Sequence, residues 1–231
     1  MIKMFSDPSQ LSSRFLQTQP WFKQLSGDMQ TRVAGSTLTL QGGNGELLLP
    51  SGIEVNGCYA VLSGLVKLQT PSGQGPVSAF LGVPDGEWFG EGSALKTERR
   101  RYEVIALRDT VLLCLPRAQF VELLASSLPF NHFLIGQMNR RLGQAMAIVE
   151  AGRLRAPGQR VALYLSQVFW NGRHRVALSQ EEIGHLAGLS RQTVNRALKS
   201  MEEHRLVSLD FGRVTILDAQ ALAAYAAKPA T

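Results

Sequence analysis

Cysteine is nearly missing from this chain: Cys58 and Cys114 are the only two in 231 residues, each set in an apolar run. A four-cysteine zinc site or an iron–sulfur cluster needs more thiolates than that. The pair reads instead as two small hydrophobes in a reducing, cytoplasmic setting. Histidine is scarce too. His132, His174, His185 and His204 all lie beyond residue 130 and share no metal-ligand spacing, so no metal site is expected. The sheet half of the chain therefore lacks the clustered histidines of a metal-dependent β-barrel enzyme. No P-loop and no Ser/His/Asp arrangement occurs either, and no catalytic residues are expected. Long hydrophobic runs are absent; nothing approaches the ~18 apolar residues of a membrane span. The N-terminal Met1 to Pro8 shows no signal-peptide pattern.

What is present is an ordinary globular composition, 45% hydrophobic and 18% charged, enough for one to two domains with a core. The net charge of +6 is unevenly spread. Residues 153–231 carry 11 Lys/Arg against 6 Asp/Glu, whereas residues 1–152 carry 13 against 12. A basic end on a neutral body suggests a polyanion as partner.

The first half reads as β-structure. Leu38-Thr39-Leu40, Leu47-Leu48-Leu49, Tyr59-Ala60-Val61-Leu62, Leu65-Val66-Lys67-Leu68 and Val111-Leu112-Leu113-Cys114-Leu115 are short apolar runs parted by turn residues. Such spacing predicts an antiparallel sandwich or roll. Leu11 to Val33 is expected to be helical, with Trp21 and Phe22 fastening it to the sheet. From Phe130 the period changes. Ile135, Met138, Leu142, Ala145, Val149 and Gly152 follow at spacings of 3, 4, 3, 4 and 3, a heptad seam on a helix running roughly 33 Å. The seam either lies on its own domain or meets a second copy of itself, and its length and small-residue end favour a homodimer. Pro and Gly in Arg155-Ala156-Pro157-Gly158 should break the helix into a hinge.

Beyond the hinge, Gln159 to Phe169 is expected to form a helix, Asn171-Gly172 a turn, and Arg175-Val176-Ala177-Leu178 a strand. Ser179-Gln180-Glu181-Glu182 is a capping box, so a helix should start there. Its apolar face is Ile183, Leu186 and Ala187, and Gly188 supplies the left-handed stop. Ser190 caps a second helix to about His204, with Val194, Leu198 and Met201 inward. Two short helices across a Gly turn form a helix-turn-helix, whose second helix enters the major groove. Its outward residues are Arg191, Gln192, Asn195, Arg196 and Lys199. Arg suits guanine, and Gln or Asn suits adenine. Leu206 to Ile216 reads as a hairpin wing, turning at Asp210-Phe211-Gly212, with Arg213 near the phosphates. The alternatives are a winged helix that binds only protein, and a nucleotide-binding subunit that controls a protein partner.

Leu178 to Gly184, Gly188 to Arg196 and Leu198 to Glu203 closely resemble the helix-turn-helix signature of the cyclic-AMP receptor protein/FNR family of bacterial transcription regulators. Gly86-Glu87-Trp88-Phe89-Gly90-Glu91 resembles the family's phosphate-binding cassette. Ser63 to Val66 and Met138 to Leu142 are similar to its sheet and dimer-helix motifs. The resemblance spans about residues 20 to 217. It implies an α+β fold: an N-terminal antiparallel β-roll, a jelly roll of the cyclic-nucleotide-binding kind, then a long dimerisation helix and a C-terminal winged helix-turn-helix. The expected boundaries are 1–130, 131–155 and 156–231. The function implied is that of a homodimeric, sequence-specific DNA-binding regulator, gated by an effector in the β-roll and acting on a two-fold operator. Its partners would be double-stranded DNA, a second copy and RNA polymerase, with no membrane.

The DNA-binding set expected is Ser179, Ser190, Arg191, Gln192, Thr193, Asn195, Arg196, Lys199 and Arg213. Gln192 stands where the family often has Glu, which implies a different base preference at that position. The dimer interface expected is Ile135, Met138, Leu142, Ala145 and Val149. For the effector, the resemblance implies a pocket of Gly90, Glu91, Arg100 and Arg101, with Glu91 toward a ribose hydroxyl and Arg100 toward a phosphate. The pocket departs from the cyclic AMP pattern. Arg101 and Tyr102 replace a small pair; the second Arg could strengthen a phosphate grip, while Tyr102 could fill the pocket. Glu98-Arg99-Arg100-Arg101 also reads as a solvated hairpin end. Ala145 and Met146 stand where hydroxyls meet the base. The cofactor therefore stays unassigned between cyclic AMP, another small ligand and none. Iron–sulfur sensing lacks cysteines, and each haem-ligand type here (Cys58, Cys114, His132, the methionines) reads better as core or surface.

Overall fold

The computed structural model describes residues 8–71, 79–96, 98–154, 156–170, 175–210 and 212–227. The N-terminal segment is helical, as expected over Leu11 to Val33, and is divided into α1 (Pro8–Thr18), α2 (Pro20–Lys23) and α3 (Gly27–Ser36). The cause is local. Gln19 precedes Pro20 and adopts an extended backbone, as the proline ring demands, and Ser26 caps α3 by accepting from Met29 N at 3.4 Å.

The strands β1 (Leu38–Gly42), β2 (Leu47–Leu49), β3 (Gly57–Ser63), β4 (Leu65–Gln69), β5 (Ala79–Pro84) and β6 (Trp88–Phe89) lead into α4 (Glu91–Lys96). The strands β7 (Glu103–Ala106) and β8 (Thr110–Pro116) complete the roll, followed by α5 (Arg117–Ser126) and α6 (Leu128–Leu154). Two four-stranded sheets result, in the orders β1-β8-β3-β6 and β2-β7-β4-β5. β1 and β3 flank β8 antiparallel, and β7 pairs antiparallel with both β2 and β4.

Alternation along β3 separates two environments. Cys58 and Ala60 join a core with Trp21, Phe22, Trp88, Leu113, Leu115, Phe120 and Phe130. Trp21 sits edge-on to Phe130 at 4.9 Å and to Trp88 at 6.1 Å between ring centroids, which fastens the N-terminal helices as expected. Tyr59 pairs in register with Cys114, on the opposite face. The two thiols therefore point apart; both are free and buried.

The second half continues with α7 (Pro157–Leu165), α8 (Gln167–Trp170), β9 (Arg175–Val176), α9 (Gln180–Ala187), α10 (Arg191–Glu203), β10 (Val207–Asp210), β11 (Arg213–Ile216) and α11 (Ala219–Ala227). The helix expected over Gln159 to Phe169 is split at Ser166, whose backbone is extended. Asn171-Gly172 and Phe211 lie outside the described residues, as does Arg155 of the hinge. α7 packs on α9, α10 and α11, and the hairpin β10–β11 adds β9 along its far edge.

The chain forms two compact units, Met1–Val77 with Leu81–Asn139, and Ser78–Phe80 with Arg140–Thr231. The division falls inside α6 rather than at the hinge. α6 spans 27 residues, about 40 Å, and ends before Pro157, which opens α7. Among the described residues no helix is long and apolar enough to cross a membrane, and no group of three His, Cys, Asp or Glu could hold a metal.

Candidate DNA interface and sensor pocket

The helix-turn-helix is set by its caps. Ser179 Oγ accepts from Glu182 N at 3.2 Å, while Glu182 Oε2 accepts from Ser179 N at 2.6 Å, a reciprocal box that satisfies two orphan donors. Gly188 ends α9 at φ 64°, ψ 41°, left-handed backbone that suits glycine. Gly184 is needed for a different reason: a Cβ there would lie 2.7 Å from the Leu189 carbonyl oxygen. Ser190 Oγ then accepts from Thr193 N at 3.2 Å and meets Thr193 Oγ1 at 2.9 Å. Ser179, Ser190 and Thr193 are thus engaged in holding helix ends.

Val194, Ala197, Leu198 and Met201 are the buried face of α10. The opposite face carries Arg191, Gln192, Arg196 and Lys199, all exposed, with Asn195 half-buried among them. The 3.6-residue period accounts for this grouping, since 191, 195 and 199 share a stripe beside 192 and 196. Arg191 also lines a cleft of about 340 Å³ with Ser179, Gln180, Asp210 and Arg213. Arg213 pairs in register with Asp210 at the hairpin end. Two ties within this unit have no sequence signature. Glu202 Oε1 accepts from Leu209 N at 2.9 Å, joining α10 to the wing, and Gln180 Oε1 accepts from Asn195 Nδ2 at 3.1 Å.

The β-roll holds the other candidate set. Glu91 opens α4 and is 7% exposed; Arg100 is 3% exposed. Arg100 Nη2 donates to the Tyr59 hydroxyl and Nη1 to the Pro50 carbonyl, both at the long distance of 3.4 Å, and its guanidinium lies 5.4 Å from the Tyr59 ring centre. Among the described residues no carboxylate forms an ion pair with it. A buried cation without a counter-ion is costly.

Arg101 does not join this group. Its side chain is 78% exposed and pairs with Glu98 at 3.0 Å. The reason is backbone pairing: Arg100 N donates to Ile53 O at 2.9 Å and Arg100 O accepts from Gly52 N at 2.7 Å, so consecutive side chains alternate. Arg100 turns inward and Arg101 outward. The Tyr102 hydroxyl lies 3.7 Å from where a Cβ on Gly90 would stand. Burial raises its pKa to about 12, Arg100 and a hydrogen bond from Ser93 opposing the shift and Glu91 adding to it. Tyr59 is likewise raised to about 12, mainly by burial. Both phenols are neutral at physiological pH.

On α6, Ile135, Met138, Leu142 and Val149 are 57%, 45%, 60% and 56% exposed, and Ala145 is exposed with them. An apolar stripe of this length left in water is a mark of an interface. On the same helix, Gln137 is buried and its Nε2 donates to the Trp88 carbonyl at 2.6 Å, a bond from the seam helix to the cassette strand β6.

Comparison with known proteins separates the chain in the same way. A cyclic nucleotide-binding domain model matches residues 43–127, and a Crp-like helix-turn-helix domain model matches residues 159–225. A cyclic AMP receptor protein of Thermus thermophilus is 33% identical over 167 residues, covering 71% of this chain and 76% of that one.

The chain belongs to the cyclic-AMP receptor protein/FNR family. Members of this family are transcription regulators rather than enzymes, and this chain is a regulator of that type with a DNA-binding helix-turn-helix. The transcriptional regulator LdrP of Thermus thermophilus is 28% identical over 189 residues, covering 77% of this chain and 91% of its own. The fold agrees with that of FixK2 from Bradyrhizobium japonicum at a TM-score of 0.69 and 20% identity, over 84% of this chain and 99% of that one.

Proposed function

We propose that this regulator works as a cytoplasmic homodimer, reading a two-fold operator through α10 and responding to an anionic effector in the β-roll. The observation that carries the DNA reading is the exposed face of Arg191, Gln192, Arg196 and Lys199, presented by a helix whose start is fixed by the Ser190 cap. Arg196 and Arg191 would take guanine edges or phosphates, Gln192 an adenine, and Lys199 and Arg213 the backbone. Pairing of two α6 seams through Ile135, Met138, Leu142, Ala145 and Val149 would set the two recognition helices one DNA turn apart. RNA polymerase is the partner through which such a bound dimer would act.

The effector side rests on Arg100. A buried guanidinium that forms no ion pair among the described residues is suited to an anion, and the buried Glu91, which like Arg100 acts electrostatically on the Tyr102 hydroxyl, to a ligand hydroxyl. These two residues fit the phosphate and ribose of a cyclic nucleotide, whose binding would supply the missing counter-charge. Tyr102 narrows the same space. The Gln137 bond to the cassette strand gives a physical link from the pocket to α6, the helix that carries the dimer seam.

Anisotropy titration of fluorescent duplexes tests the DNA reading. Operator enriched from a random pool should bind far more tightly than bulk DNA, and log affinity should fall steeply and linearly with log salt. Equal binding to all duplexes would contradict sequence-specific reading, and no binding would contradict DNA recognition altogether.

A further inference from the structure

Asn195 occupies the middle of the DNA-facing stripe, yet it is half-buried. Its Nδ2 donates to Gln180 Oε1 at 3.1 Å across fifteen residues of sequence. Among the described residues this is the one side-chain bond the Asn195 amide makes. Gln180 is the first residue of α9 and belongs to the same cleft as Arg191 and Arg213. The bond uses one of the two Nδ2 hydrogens and stops the amide from turning about its last torsion. One N–H and the carbonyl oxygen Oδ1 remain. That is a donor beside an acceptor at fixed orientation, the pattern complementary to adenine N7 and N6 in the major groove.

We infer that Gln180 is a positioning residue for base recognition: by holding the Asn195 amide from the neighbouring helix, it makes Asn195 select adenine at one position of each half-site. The inference rests on the reading of α10 as the recognition helix. Without Gln180 the amide can flip, presenting donor and acceptor in either order, and the preference at that one position is lost. Contacts by Arg191, Gln192 and Arg196 are left as they were.

The test is operator selection from a random pool by the full-length protein and four variants: Asn195→Ala, Gln180→Met, Gln180→Glu and Gln180→Ala. Methionine keeps the length of glutamine and removes the acceptor, whereas glutamate keeps the acceptor. Asn195→Ala should lose a selectivity for adenine of about tenfold or more at one symmetric position. Gln180→Met and Gln180→Ala should flatten that same position and no other, with unchanged melting temperature and salt slope. Gln180→Glu should keep the adenine preference while binding all operators more weakly, because it adds a negative charge near phosphates. If Gln180→Met and Gln180→Ala instead lose affinity equally for all sequences, Gln180 is a phosphate contact and the inference is wrong. An unchanged selection profile for Asn195→Ala also overturns it. Failure of the wild-type protein to enrich any operator would overturn the DNA reading itself, and this inference with it.

Discussion

The two units of this chain use arginine in opposite ways. On α10, Arg191 and Arg196 stand in water on a helix whose other face is packed. In the β-roll, Arg100 is taken out of water and, among the described residues, its guanidinium has two long hydrogen bonds and the face of Tyr59. An exposed guanidinium costs little to hold and can wait for a partner of high charge density, such as a phosphate backbone. A buried one without a counter-ion costs the fold stability, so the anion proposed above would couple its occupancy to stability. The first arrangement suits reading a polymer; the second suits sensing a small solute.

The sharpest way to break the comparison is to disrupt the dimer proposed above, which both regions would serve. Leu142→Asp places a charge in the exposed seam. It should give a monomer by light scattering and lower operator affinity by about 10²–10⁴-fold, the loss expected when two linked half-site contacts become independent. Arg196→Ala comes next: specific binding should weaken by about 1–3 kcal/mol with a relaxed preference at one base pair, read by competition against single-base operator variants. Arg100→Met should act in the reverse direction on stability. With no buried charge left uncompensated, the effector-free sensor should melt higher, by roughly 1 kcal/mol or a few degrees, while any stabilisation by anionic ligands disappears. Arg101→Ala should do least. Its exposed pair with Glu98 contributes well under about 1 kcal/mol, and effector titrations should be unchanged.

Legibility in the sequence followed the same divide. The caps of the helix-turn-helix act between residues three apart, Ser179 with Glu182 and Ser190 with Thr193, so the spacing alone predicts them. The left-handed stop at Gly188 and the seam of α6 are equally local, being matters of residue type and period. The sensor was read less well. Choosing between Arg100 and Arg101 depends on pairing with Gly52 and Ile53, far away in the chain, which fixes which side chain turns inward. The partner of Arg100 is Tyr59 on β3, and nothing near either residue signals it. The same holds for Gln137 beneath Trp88, and for Gln180 against Asn195. The breaks at Pro20 and Ser166 differ in legibility. Pro20 is a breaker legible in the sequence, whereas Ser166 carries no breaker signal of its own.

Hydroxyl-radical footprinting of the selected operator tests the central claim most directly. The account predicts two protected half-sites related by a two-fold axis and centred about 34–36 Å apart, both lost together in Leu142→Asp and weakened in Arg196→Ala. A single protected patch, or protection that ignores sequence and survives both substitutions, would contradict a dimer reading DNA through α10.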